Sequence, residues 1–124
     1  MITRAVVLLT AVSFAWAAAA QQKFQRLTGA QIRAKFGGME LTDQVHWYDL
    51  YEKNGTLVSS SMGHKKIGKW WTEKNELCID DNESVRCYEV QRCYEVQVSG
   101  DNVQLLAEGL YPVNAVLRLP ITRR

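Results

Sequence analysis

The chain has 124 residues, and its 15 Lys and Arg residues against 13 Asp and Glu residues give a formal net charge of +2 at pH 7. This near-neutral charge gives no electrostatic reason to expect nucleic acid or an anionic membrane surface as a partner. The length suits one domain that buries its own core without a metal or a dense set of disulfides.

The first 20 residues have the pattern of a secretory signal peptide. Arg4 forms a short basic region, residues 5–16 are mostly apolar, and Ala17–Ala20 supply small residues for cleavage. The run is too short for a spanning helix of about 20 apolar residues. We therefore predict cleavage near Ala20, a mature domain of residues 21–124 without a membrane span, and a periplasmic or secreted location.

One short helix is predicted over about residues 28–36. Thr28 is a favourable N-cap, and Gln31 lies three residues later, as a capping box requires. Ile32 and Phe36 are four residues apart and form one apolar stripe. Gly37 and Gly38 end the helix. Because a helix this short is marginal alone, it must pack against the rest of the domain.

Seven short strands are predicted between about residues 45 and 119, with turn residues between them. The segments, in chain order, are 45–52, 56–62, 67–72, 76–80, 85–98, 103–107 and 113–119. Asn54-Gly55 predicts a type I′ hairpin turn, and Gly63–Lys66 is interpreted as a basic turn. The fold class is therefore mainly β: an antiparallel meander that closes into a small lipocalin-like barrel or a strongly bent sheet, with one N-terminal helix.

A duplicated hexapeptide, residues 86–91 followed by residues 92–97, contains two of the three cysteines. A shift of six residues keeps each side chain on the same face of a strand, so either copy could pair in the sheet. One disulfide is expected in an oxidising compartment. A turn centred on Asn82-Glu83 would place Cys78 opposite Cys87, and we favour that pair over Cys78 with Cys93 because it closes the shorter loop. We interpret the repeat as a recent duplication or an artefact of the sequence.

Adjacent Trp70 and Trp71 must point to opposite faces of a strand. Gly68 and Thr72 are small and share a face with Trp70, whereas Lys69 shares a face with Trp71. We predict that Trp70 is the core residue and that Trp71 is the outer one, lining a pocket or the helix-covered end of the barrel. Aromatic and basic side chains supply the candidate binding residues for a ligand or partner: Trp47, Tyr51, His64 and Trp71.

No catalytic or metal-binding constellation emerges from the sequence. His46 and His64 are the two histidines, and the serines at 59–61 lack the context of a nucleophile elbow. Three cysteines with both histidines upstream do not match a structural zinc pattern. The acidic turn at 80–83 lacks the glycine and spacing of a calcium loop. We therefore predict a protein that is not an enzyme, has no cofactor and is a monomer.

Motifs spread over most of the mature chain give it a resemblance to a known group. They are Leu27-Thr28-Gly29 with Ile32, Arg33 and Phe36, then Thr42-Asp43, His46-Trp47, Tyr51, Gly55, Leu57, Met62-Gly63, Gly68-Lys69-Trp70, Leu77-Cys78 and Cys87-Tyr88-Glu89-Val90. With these residues the chain resembles small exported proteins of alphaproteobacteria that carry a domain of unknown function. The resemblance implies a periplasmic domain with one disulfide, and it implies no substrate.

The sequence leaves three functions open. The first is a non-enzymatic binding protein for a small amphipathic ligand or a protein partner. The second is a secreted inhibitor of an envelope-directed hydrolase such as a lysozyme, with the Gly63–Lys66 turn as the inhibitory loop. The third is an enzyme. An apolar cavity larger than about 300 Å³ would favour ligand binding, a protruding loop over a solid core would favour the inhibitor, and a histidine–acid pair in a cleft would favour the enzyme.

Overall fold

The computed structural model describes residues 23–80 and 91–121. These residues form one helix and nine strands. The nine strands pair antiparallel in a single sheet. The helix α1 spans Gly29–Phe36. The strands are β1 (Gln25–Arg26), β2 (Met39–Thr42), β3 (Trp47–Tyr51), β4 (Thr56–Ser61), β5 (His64–Glu73), β6 (Glu76–Asp80), β7 (Gln91–Ser99), β8 (Asn102–Leu106) and β9 (Val113–Arg118).

Strands β2 to β9 form a closed, eight-stranded barrel in which each strand pairs with the next one along the chain. The barrel closes where β9 pairs with β2, and Leu41 lies opposite Leu117 there. At the same seam the fully buried carboxylate of Glu40 accepts a hydrogen bond from Nε of Arg118 at 2.9 Å. The predicted barrel is therefore confirmed, with strand β2 added to the seven that the sequence predicted.

Strand β1 lies outside the barrel's chain-order pairing. Strand β6 pairs with residues 91–94 of β7, and β1 pairs with Gln97 and Val98 further along the same edge. The backbone N–H of Leu27 continues this contact by donating to the carbonyl of Val96 at 2.9 Å. Helix α1 follows β1. The prediction of an N-terminal helix therefore holds only approximately, because one short strand precedes it.

Two-residue turns join β4 to β5 and β5 to β6, at opposite ends of the barrel. Type I′ turns need positive φ at both central residues, and Met62-Gly63 and Lys74-Asn75 both meet this condition. At the predicted Asn54-Gly55 turn only Gly55 has positive φ, at 91°, and its N–H donates to the carbonyl of Glu52. The hairpin is thus confirmed there, but the predicted type I′ geometry is wrong.

Helix α1 covers one end of the barrel. The predicted capping box is confirmed, since Thr28 and Gln31 exchange side-chain and backbone hydrogen bonds. The N–H of Gly29 also donates to Oδ1 of Asn75 at 2.9 Å, which ties the helix to the β5–β6 turn. On the inner side of the helix, Ile32 and Phe36 are fully buried. The helix therefore gains its stability from packing on the barrel, as expected for an element this short.

An edge-to-face aromatic stack joins the helix to the barrel. The ring centroids of Phe36 and Tyr51 lie 5.2 Å apart, and those of Tyr51 and Trp70 lie 5.5 Å apart. Nε1 of Trp70 donates to the carbonyl of Glu52 at 2.8 Å. Trp70 is 7% exposed, whereas Trp71 is half-buried on the outer face. The prediction that Trp70 is the core residue is confirmed.

The disulfide joins Cys78 to Cys93, with their Cα atoms 4.0 Å apart. The favoured pair of Cys78 with Cys87 is therefore wrong, and the alternative partner is the right one. The reason is the sheet register: the second hexapeptide copy forms β7, and it places Cys93 directly opposite Cys78 on β6. Loop length alone favoured the first copy, but strand pairing decides which cysteine reaches Cys78. Cys87 itself lies outside the described residues, as does the predicted signal peptide.

Candidate functional site

The barrel encloses a cavity of about 650 Å³. It is bounded at the helix end by the aromatic stack and lined by residues from β3 to β9. The lining residues are Trp47, Asp49, Tyr51, Ser59, Ser60, Ser61, Met62, His64, Lys66, Leu77, Ile79, Tyr94, Leu105 and Val113. Because the site is built from strands rather than loops, its walls are held in place by the hydrogen bonds of the barrel.

Residues that pair across β3, β4 and β5 form three rows along the cavity wall, and the rows change from mainly apolar to polar with distance from the helix. The row nearest the helix is Tyr51, Leu57 and Gly68, the middle row is Asp49, Ser59 and Lys66, and the outer row is Trp47, Ser61 and His64. The two outer rows bring hydroxyl, carboxylate, ammonium and imidazole groups to the cavity.

The opposite wall is mainly apolar. Leu77 and Tyr94 face each other across β6 and β7 and are both buried, and Leu105 and Val113 pair across β8 and β9. Ile79 adds a further aliphatic surface. A cavity with an apolar wall and a few polar groups on the other side is typical of sites for small amphipathic molecules.

Tyr51 combines complete burial with an unsatisfied polar group. Its side chain has no exposed surface, and its hydroxyl has no hydrogen-bond partner among the residues that the structure describes. Burial raises the pKa of the Tyr51 phenol well above its ordinary value, and the electrostatic interaction with Asp49 acts in the same direction. The phenol therefore stays protonated and keeps its capacity to donate a hydrogen bond.

Three of the four predicted binding residues meet at this cavity. Trp47, Tyr51 and His64 all line it, whereas Trp71 does not and lies on the outer face, opposite Cys78 in the sheet. Trp71 therefore does not contribute to this cavity. The physical reason is strand alternation: the buried position of Trp70 turns its neighbour away from the interior.

Sequence reasoning missed most of the remaining lining residues, among them Asp49, Ser59 and Lys66. Strand alternation could have found them, since Asp49 lies two residues from both Trp47 and Tyr51 and must share their face. Lys66 was missed because residues 64–66 were interpreted as a turn. In the structure Ser61 pairs directly with His64, so the turn is limited to Met62 and Gly63 and the basic residues belong to β5.

A histidine–acid pair is present, but it lies in a turn and not in the cavity. Nδ1 of His46 is 2.9 Å from Oδ2 of Asp43, and the His46 side chain is largely exposed. Desolvation alone would raise the pKa of Asp43, but hydrogen bonds from the backbone N–H groups of Trp47, Val45 and His46 outweigh it and hold the pKa below its ordinary value. This carboxylate organises the β2–β3 turn, as Asp commonly does at such positions.

Among the described residues, one cluster has the spacing of metal ligands: Glu73, Cys78 and Cys93. The two sulfur atoms are bonded to each other, so neither is available as a thiolate, which is the form that binds metal.

Within residues 23–80 and 91–121, no helix is long and apolar enough to cross a membrane.

The fold and the cavity together define an up-and-down antiparallel β-barrel with one end closed by a helix and an amphipathic interior. Comparison of the chain with protein-family models, with characterised proteins and with solved structures found no match.

Proposed function

We propose that this protein binds a small amphipathic molecule inside the barrel and is not an enzyme. The observation that carries the proposal is the cavity of about 650 Å³ between the apolar wall of β6–β9 and the polar rows of β3–β5. Cavities that hold small molecules generally measure about 300–1,000 Å³. A cavity of this size reduces the packing of a small core, because its lining side chains forgo contacts with one another.

The distribution of side chains sets the kind of molecule that fits. Leu77, Leu105 and Val113 would remove an alkyl or aromatic body from water, which is worth roughly 25 cal/mol for each Å² of apolar surface. The polar side chains on the β3–β5 side of the cavity would satisfy polar atoms of the same molecule. A wholly polar or wholly apolar ligand would leave one side of the cavity uncompensated.

The inhibitor interpretation has less support. It needed a protruding loop at Gly63–Lys66 and a solid core, whereas His64, Lys65 and Lys66 belong to strand β5 and the interior is open. An enzyme would need a base and a nucleophile within hydrogen-bond reach of each other in a cleft. The His46–Asp43 pair instead lies at an exposed turn.

Calorimetric titration with phenylbutanol, a phenyl ring on a butyl chain that ends in a hydroxyl, tests ligand binding. We expect saturable binding to the unmodified protein and its loss in Ser59→Phe, which fills the middle of the cavity. Val58→Phe is the matched control, because Val58 is the neighbouring residue on β4 and faces outward. It should bind phenylbutanol as the unmodified protein does. Equal binding by both variants, or no binding by the unmodified protein, would contradict the proposal.

We also propose that the domain works after export, in the periplasm or outside the cell. The Cys78–Cys93 bond supports this, since disulfides persist in oxidising compartments, and so does the signal-like pattern of residues 1–20. Mass spectrometry of the protein recovered from the periplasm should give a chain that begins at or near Gln21. An intact form that begins at Met1 and stays in the membrane would contradict export and cleavage.

A further inference from the structure

Tyr51 occupies the junction between the cavity and the aromatic stack that closes the barrel. Its ring packs edge-to-face against Phe36 on one side and Trp70 on the other, so the side chain is fixed in position. It also contributes to the lining of the cavity. The residue that carries the unpartnered hydroxyl is thus held by rigid neighbours at the inner limit of the cavity.

Burial of the Tyr51 hydroxyl without a partner lowers the stability of the folded protein. Buried hydroxyls in folded proteins nearly always have a hydrogen-bond partner, yet this one has none among the described residues. A phenylalanine would fill the same position in the stack without that cost. Packing in the aromatic stack accounts for the ring of Tyr51. It does not account for the hydroxyl, which points to a second role for this residue.

We propose that the Tyr51 hydroxyl is the polar anchor for the bound molecule, which places an uncharged oxygen group, a hydroxyl or a carbonyl, at the inner end of the cavity. This inference rests on the proposed ligand-binding function and specifies its ligand. The molecule would enter polar group first, with its apolar body against Leu77, Tyr94 and Leu105. One hydrogen bond would satisfy the hydroxyl and orient the ligand.

The charges near Tyr51 favour an uncharged group over a carboxylate. Asp49 lies two residues away on the same face of β3, and its charge is felt at the phenol, where it helps to raise the pKa. An anionic group beside Tyr51 would meet the same charge and would also lose its hydration on burial. A neutral hydroxyl can accept from the phenol or donate to it without either cost.

The first test compares stability and affinity in Tyr51→Phe. Removing an unsatisfied buried hydroxyl should raise the melting temperature of the ligand-free protein by about 4 °C or more. The same change should weaken phenylbutanol binding by about three- to tenfold, the worth of one hydrogen bond. Opposite effects on stability and affinity would distinguish an anchor from a structural hydroxyl, whose loss would lower the melting temperature.

A ligand series tests the chemistry of the anchored group. Phenylbutanol, phenylbutanoate and butylbenzene share the phenyl ring and the butyl chain and differ only in the terminal group. We expect phenylbutanol to bind the unmodified protein most tightly, and Tyr51→Phe to leave the affinity for butylbenzene unchanged. Tyr48→Phe is the matched control, because Tyr48 is on the same strand but outside the cavity lining. It should leave all three affinities unchanged.

The outcomes separate this inference from the function on which it rests. Binding of phenylbutanol with equal affinity by the unmodified protein and Tyr51→Phe would overturn the anchor and leave ligand binding intact. Tighter binding of phenylbutanoate would overturn the uncharged oxygen group and point to Lys66 or His64 as the site of the polar contact. No binding of any of the three would overturn ligand binding and the anchor together.

Discussion

Trp70→Ala is expected to lower the free energy of unfolding by about 3–5 kcal/mol, the range for large-to-small changes in a core. The indole is 7% exposed, packs edge-to-face on Tyr51 and donates to the carbonyl of Glu52. Its loss would open a hole beneath helix α1 and remove one support of the aromatic stack. Denaturant melts followed by circular dichroism measure the effect without relying on tryptophan fluorescence.

Trp71→Ala is the control for this prediction. It removes the same side chain from the next residue of β5, where the indole is half-buried on the outer face and its Nε1 is 3.4 Å from Oε2 of Glu73. We expect a clearly smaller loss of stability and no change in phenylbutanol binding, since Trp71 does not line the cavity. A greater loss from Trp71→Ala than from Trp70→Ala would show that the two faces of β5 have been assigned the wrong way round.

Cys93→Ser is expected to lower the free energy of unfolding by about 3 kcal/mol, the value for a disulfide that closes a loop of about 15 residues. The bond links neighbouring strands across a segment of 15 residues, so its loss gives the unfolded chain much more freedom. Denaturant melts under oxidising conditions measure the difference. Adding a reductant should bring the unmodified protein to the stability of the variant.

Cys87→Ser supplies the matched control for the disulfide. The same substitution in the first hexapeptide copy leaves the Cys78–Cys93 bond in place, so the stability under oxidising conditions should not fall by a comparable amount. Peptide mapping without reduction should yield a linked pair that contains Cys78 and Cys93. A dominant pair of Cys78 with Cys87 would contradict the register of β6 and β7.

The parts of the fold that follow from local sequence were predictable. The capping box at Thr28 and Gln31 fixed the start of α1, and alternation placed Trp70 inside the barrel. Strand β2 was missed because it has only four residues and carries Glu40 in its interior. That carboxylate is buried only because Arg118 meets it from the far end of the chain, a contact that no local pattern contains.

The site was also predictable only in part, because residue type suggests binding residues but strand pairing decides which of them meet. Trp47, Tyr51 and His64 were chosen by residue type, and the barrel brings all three to one cavity. The choice of Cys87 over Cys93 was wrong because the two copies are identical and an even shift preserves every face, so loop length was the only guide. The unsatisfied hydroxyl of Tyr51 was also beyond sequence reasoning, since it depends on which side chains from other strands surround it.

The most direct test of the central claim is a nuclear magnetic resonance titration of the labelled protein with phenylbutanol, followed through the backbone amides. Binding inside the barrel predicts saturable shifts concentrated at lining residues such as Asp49, Ser59, Ile79 and Leu105. The outer face, reported by Ile67 and Trp71, should change little. Shifts confined to the outer face, or the absence of saturable shifts, would contradict a ligand site within the barrel.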